Sequence, residues 1–98
     1  MASHIKGFDW DAGNWPKCGK HGVSKEEIET MFENNPGVYP DVAHSRTEDR
    51  QLAIGVTHGM RWLLVAFTLR RIKGHIFIRP ISARYMHSKE IEHYGQQT

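Results

Sequence analysis

Arg50-Gln-Leu-Ala-Ile-Gly-Val-Thr-His58, Met60-Arg-Trp-Leu-Leu-Val-Ala-Phe-Thr-Leu69 and His75-Ile-Phe-Ile-Arg-Pro-Ile-Ser-Ala83 follow one another, separated only by Gly59 and by Arg70-Arg-Ile-Lys-Gly74. In the first segment Leu52, Ile54 and Val56 alternate with the small or polar Ala53, Gly55 and Thr57, the period of a half-buried strand. The second is apolar on both parities, Trp62, Leu64 and Ala66 against Leu63, Val65 and Phe67, so it belongs at the centre of a sheet, covered on both faces. The third contains Pro80, which has no N–H to donate and points to an edge or a bulge. Three strands joined by short turns make an antiparallel meander.

N-terminal to the meander, Ser24-Lys-Glu-Glu27 is a capping box: hydroxyl and carboxylate each satisfy an amide that the first helical turn leaves unpaired. A helix starts at Lys25, carries Ile28, Met31 and Phe32 on one face, and ends at Asn34-Asn-Pro-Gly37. Before it, Ile5-Lys-Gly-Phe-Asp-Trp10 reads as an edge strand. Asn14 as cap, with Pro16 in the first turn, then opens a short helix closed by Gly19 or Gly22. Residues 38–46, with Pro40, read as irregular. His87-Ser88 caps a last helix from Lys89 to about Gly95, packing through Ile91 and Tyr94. The expectation is an α+β fold of one domain over residues 1–98: a small antiparallel sheet with two N-terminal helices and a C-terminal helix.

Charge is unevenly distributed along the 98 residues. The net charge is +2, yet between Gln51 and Lys89 there are seven Lys or Arg and no Asp or Glu, while residues 1–50 hold six basic and nine acidic side chains. A one-sign field of this kind attracts phosphate. The hydrophobic content of 39% with ten aromatics indicates a folded chain, and the single cysteine, Cys18, leaves no internal disulfide to form. The longest apolar run, residues 62–67, is too short to span a bilayer, and a cytoplasmic location is expected.

Seven histidines are scattered without an HxxxH spacing and one cysteine supplies no CxxC, so no metal site and no cofactor are expected. No glycine-rich phosphate loop and no nucleophile elbow stand in the chain. What remains is Arg, Lys, His, Glu and Tyr in turns and at strand ends, a set sufficient for metal-free RNA cleavage. A base takes the 2′-OH proton, a cation steadies the phosphorane, and an acid protonates the leaving 5′ oxygen. Candidates for catalysis are Arg84, Arg79, His21 and Glu48; candidates for RNA contact are Lys20, His44, Arg50 and Tyr85. In an uninterrupted strand residues 79 and 84 point to opposite faces, so the two arginines can share a site only if the register is reset between them.

Phe8-Asp-Trp-Asp11, Lys20-His-Gly-Val-Ser24, Asp41 with His44-Ser45, Glu48 and Arg50, and Ile78-Arg-Pro-Ile-Ser-Ala-Arg84 followed by Glu90 and Tyr94 together resemble the BrnT toxins, the ribonuclease halves of type II toxin–antitoxin pairs. The resemblance runs in order over nearly the whole chain. It implies a fold similar to the RelE and ParE toxins, RNA cleavage that arrests translation, and neutralisation by a BrnA-like antitoxin. It also implies that the antitoxin's ribbon-helix-helix part brings the pair to operator DNA. The matching functional positions are Lys20, His21, His44, Glu48, Arg50, Arg79 and Arg84. The chain departs from the pattern where Asn14-Trp-Pro16 and Gly19 interrupt the first helix, and where Pro80 takes a ladder position. Two other readings of the same residues are a ParE-like toxin that binds DNA gyrase and a non-enzymatic RNA-binding regulatory module.

Overall fold

A computed structural model describes residues 4–44 and 49–97. Five strands form one sheet in the order β1-β5-β4-β3-β2. The strands are β1 (Ile5–Phe8), β2 (Gly37–Pro40), β3 (Gln51–Val56), β4 (Trp62–Ile72) and β5 (His75–Tyr85); the helices are α1 (Lys25–Glu33) and α2 (Ser88–Gln97). β2 to β5 are the expected antiparallel meander with one further strand, and β1 adds to its far edge in parallel with β5.

The capping box forms as read: the Glu27 amide donates to the Ser24 hydroxyl, and the Ser24 amide to the Glu27 carboxylate, both at 3.0 Å. From that start α1 lays Ile28, Met31 and Phe32 onto Ala53, Leu63, Val65, Phe67, Ile78 and Ala83, all essentially inaccessible to water. Phe32 is the hinge of this packing, meeting Phe8 and Phe67 edge to face. Gly55 allows α1 to come close: a Cβ there would stand 2.8 Å from the Met31 sulfur. The β4–β5 hairpin turns at Lys73 and Gly74, both at positive φ, so β4 runs past the end anticipated at Leu69 to Ile72.

Three expectations are corrected. The first of the two N-terminal helices is only a 3-10 turn, Lys17–Gly19. Asn14 is not its cap: its side-chain oxygen accepts from the Asp11 amide at 2.8 Å rather than from an amide of the turn, and its buried side-chain NH2 donates to the carbonyls of Asp9 and Pro80 at 2.9 Å each. The polypeptide there is tied to β5 rather than released into a helix. Residues 38–40, the start of the stretch 38–46 read as irregular, belong to β2 and pair with β3, and Pro40 is tolerated because it ends an edge strand.

Opposite α1, the second sheet face carries Leu52, Ile54, Leu64 and Ala66. α2 covers part of it through Tyr94, which meets Trp62 and Tyr39 edge to face. Trp62 therefore belongs to the α2 side, whereas Trp10 and Trp15 pack against the α1 core. No helix among the described residues is long and apolar enough to cross a membrane.

Candidate functional site

The pairing of β4 with β5 decides where the two arginines stand. Leu64 pairs with Arg84 and Ala66 with Ser82, but Phe67 pairs with Pro80 and Thr68 with Arg79, so Ile81 is an extra residue in β5. This bulge resets the register. Leu64, Ala66 and Thr68 are alternate residues of one strand and share a face, and their partners Arg84, Ser82 and Arg79 share it too. The five-residue separation that would put the arginines on opposite sides is cancelled by one bulged residue. Pro80 suits the place: it lies beyond the end of β1, where β5 has no strand partner on its outer edge.

On that face a cleft of about 240 Å³ is lined by His21, Asp41, His44, Arg50 and Arg84 over a floor that includes Leu52, Leu64 and Ser82. A second cleft, of about 350 Å³, brings Lys17 and Arg79 to the same His44 and Arg50. The two clefts form one groove with His44 and Arg50 at the join. His21 reaches it from the exit of the 3-10 turn, which packs along β5. His44 reaches it from a second 3-10 turn, Val42–His44, directly after β2. There Asp41 is the preceding residue, and its carboxylate lies 3.0 and 3.1 Å from His44 Nδ1. With Nδ1–H donating to Asp41, Nε2 becomes the lone-pair nitrogen of the imidazole, the arrangement that prepares a histidine to accept a proton.

Both arginines carry carboxylate partners. Arg84 donates through both terminal nitrogens to Glu90, at 2.8 and 2.7 Å, and Glu90 in turn accepts from the His87 amide at 2.9 Å at the start of α2. The Arg84 guanidinium, helped by that amide, holds the Glu90 carboxyl down to about 2. Glu90 takes one hydrogen from each terminal nitrogen, and a guanidinium has five N–H donors, so the pair orients Arg84 without exhausting it. Arg79 is more heavily committed. It donates to Asp9 at 3.1 Å and to both oxygens of Asp11 at 3.1 and 3.0 Å, and its side chain is only 14% exposed. Its first task is to fasten the chain after β1 onto β5, and the contact lowers the Asp11 pKa.

A family model described as "Ribonuclease toxin, BrnT, of type II toxin-antitoxin system" matches residues 10–90. The chain belongs to the BrnT family. BrnT proteins are ribonuclease toxins of type II toxin–antitoxin systems, so an antitoxin protein is the expected partner of this BrnT chain. A comparison with curated proteins returned no match.

Of the site residues read from the BrnT-like sequence, the structure gathers His21, His44, Arg50 and Arg84 in one cleft and Arg79 beside it. Tyr85 is on the opposite face. Its hydroxyl donates to the Glu27 carboxylate at 2.9 Å and Arg61 stacks 3.4 Å from its ring centre, so it braces α1 rather than facing the groove. Lys20 is exposed and lines neither cleft, where Lys17 stands instead. Glu48 lies outside the described residues. Asp41 was not among the candidates: its i, i+3 spacing to His44 was visible, but only the 3-10 turn aims the two side chains at each other. Among the described residues no group of three or more His, Cys, Asp or Glu side chains is placed to hold a metal ion.

Proposed function

We propose that this chain is a metal-independent endoribonuclease that cuts RNA by attack of its own 2′-OH, with the reacting phosphate held in the cleft between Arg84 and Arg50. The observation that carries this reading is the convergence of Arg84, Arg50, His21 and His44 in one cleft on the bulged face of the sheet. The 2′ oxygen bonds to phosphorus as its proton passes to Nε2 of His44, which Asp41 holds in the accepting tautomer. Charge building on the phosphorane is met by the remaining donors of Arg84, a cation already aimed by Glu90. The P–O5′ bond then breaks, and O5′ receives a proton from His21. The products are a 2′,3′-cyclic phosphate and a 5′-hydroxyl. Lys17 extends the positive charge of the groove along the strand, while Arg79, ion-paired to Asp9 and Asp11, shapes its wall; this suits the backbone of a single-stranded RNA.

Membership of the family supports the wider setting: a toxin of RelE/ParE-like architecture acting in the cytoplasm, arresting translation, neutralised by a BrnA-like ribbon-helix-helix antitoxin and reaching operator DNA only through that complex. The test compares wild type with Arg84→Ala and His44→Ala on labelled RNA in EDTA, with DNA gyrase supercoiling assayed in parallel. Wild type is expected to cut RNA and leave gyrase active, and each variant to lose roughly 10²-fold or more in cleavage rate while still binding antitoxin. Undiminished cleavage by Arg84→Ala, or gyrase inhibition without cleavage, overturns the reading.

A further inference from the structure

Beside the proposed phosphate cleft, α2 does not close fully onto the sheet. It leaves a cavity of about 450 Å³ whose floor is Leu52, Ile54 and Leu64 and whose walls include Tyr39 and Tyr94. Two of those floor residues, Leu52 and Leu64, also floor the cleft that holds Arg84. Glu90, the partner of Arg84, forms part of the cavity wall. The Arg84–Glu90 ion pair thus joins a residue lining the cleft to one lining the cavity. We infer that this cavity receives the base of the nucleotide flanking the scissile phosphate, which deepens the ribonuclease reading and rests on it.

The size and lining fit such an occupant. The volume is that of a small-molecule site, the floor is aliphatic, and the polar groups are few and at the rim, where Lys89, Glu90 and His93 stand. Single-stranded RNA is read by splaying a base out of the strand and stacking it on aromatic side chains. The aromatic wall is built in advance. Tyr94 packs edge to face on both Trp62 and Tyr39, at centroid distances of 5.7 and 5.9 Å, and a hydrogen bond with Tyr39 raises the pKa of Tyr94. Gly37 leaves room for both rings, since a Cβ there would run into the Tyr94 hydroxyl. A wall fixed in this way spends little conformational entropy when a base arrives. Of the Glu90 oxygens, Oε1 accepts from Arg84 and from the His87 amide, whereas among the described residues Oε2 accepts from Arg84 alone, which leaves one lone pair to receive an N–H from a base edge. Purines, with the larger stacking face, are the favoured occupants. The position of the cavity, sharing its floor and its ion pair with the phosphate cleft, favours RNA over a segment of a protein partner.

The test measures cleavage of all sixteen dinucleotide steps, each set in a common unstructured RNA, by wild type, by Ile54→Trp, which fills the cavity, and by Tyr39→Ala, which removes one wall. Circular dichroism confirms that each variant is folded, and Lys89→Ala with His93→Ala at the rim gives a second probe. Wild type is expected to prefer purines at one flanking position by roughly 10-fold, the worth of about one stacking contact, and the cavity variants to lose most of that preference. A wild-type rate independent of both flanking bases, or an unchanged preference in folded cavity variants and rim variants, overturns the inference while leaving the ribonuclease reading intact. Normal preference together with lost antitoxin binding also overturns it and gives the cavity to the protein partner. Absence of cleavage by wild type defeats both.

Discussion

Replacing Glu90 by Gln removes the charge facing Arg84 while keeping an oxygen that can accept from the His87 amide, so the change isolates the ion pair that ties α2 to β5. The carboxyl is held at about 2 against an ordinary value of 4.5, a displacement that would correspond to about 3 kcal/mol if the group were fully shielded. The two side chains are 35% and 38% exposed, and solvent screening reduces the figure to about 1 kcal/mol. A carboxylate whose pKa is depressed on folding stabilises the folded state above its unfolded value, and that contribution is lost as pH falls through the folded one. Wild type should therefore exceed Glu90→Gln by about 1 kcal/mol at pH 7, with the gap closing between about pH 4.5 and about pH 2. Urea unfolding curves collected across this range measure it. Other titrating groups, Asp11 among them, are common to both proteins and cancel in the difference. A gap that stays constant with pH, or widens on acidification, would show that the Arg84–Glu90 pair does not stabilise the fold.

Asp41→Asn leaves the phosphate contacts in place and removes the carboxylate that sets the His44 tautomer, so kcat should fall by roughly 10-fold or more with KM little changed; a rise in KM at constant kcat would mean that Asp41 serves binding. The Thr68 hydroxyl is buried and finds no hydrogen-bond partner among the described residues, so the near-isosteric Thr68→Val is expected to raise stability by about 1 kcal/mol in chemical denaturation. Burial pushes the Cys18 thiol up to about 11, and at pH 8 its reaction with a disulfide reagent should proceed only as fast as the protein opens, accelerating with added urea.

The meander and α1 were legible because their signals are local: alternation in residues 51–56, the two-sided apolar run of β4, and a box of four residues that satisfies its own amides. β2 carries no such signal. Gly37-Val-Tyr-Pro40 becomes a strand only because β3 offers it a ladder, and a pairing partner that lies beyond an intervening loop leaves no periodicity in four residues. Pro80 pointed to an edge or a bulge, yet that it is a bulge, with Ile81 the residue squeezed out, depends on which β4 residues face it. The same non-local information decides the arginines. Their charge and place in, or directly after, the third strand segment were readable, whereas the commitment of Arg79 to Asp9 and Asp11 spans about seventy residues of chain. Tyr85 was legible as an aromatic with a usable hydroxyl, but its strand parity sends it to Glu27 on the opposite face. His44 reads as an isolated loop histidine until the 3-10 turn sets it against Asp41.

Attack by the RNA's own 2′-OH on a phosphate held at Arg84 is tested by cleavage, in EDTA, of an oligoribonucleotide carrying one 2′-deoxy sugar immediately 5′ of the preferred cut. The substitution is expected to abolish cleavage at that bond alone, and the unmodified strand to yield a 2′,3′-cyclic phosphate and a 5′-hydroxyl. Cleavage at the deoxy position at an undiminished rate would contradict attack by the 2′-OH.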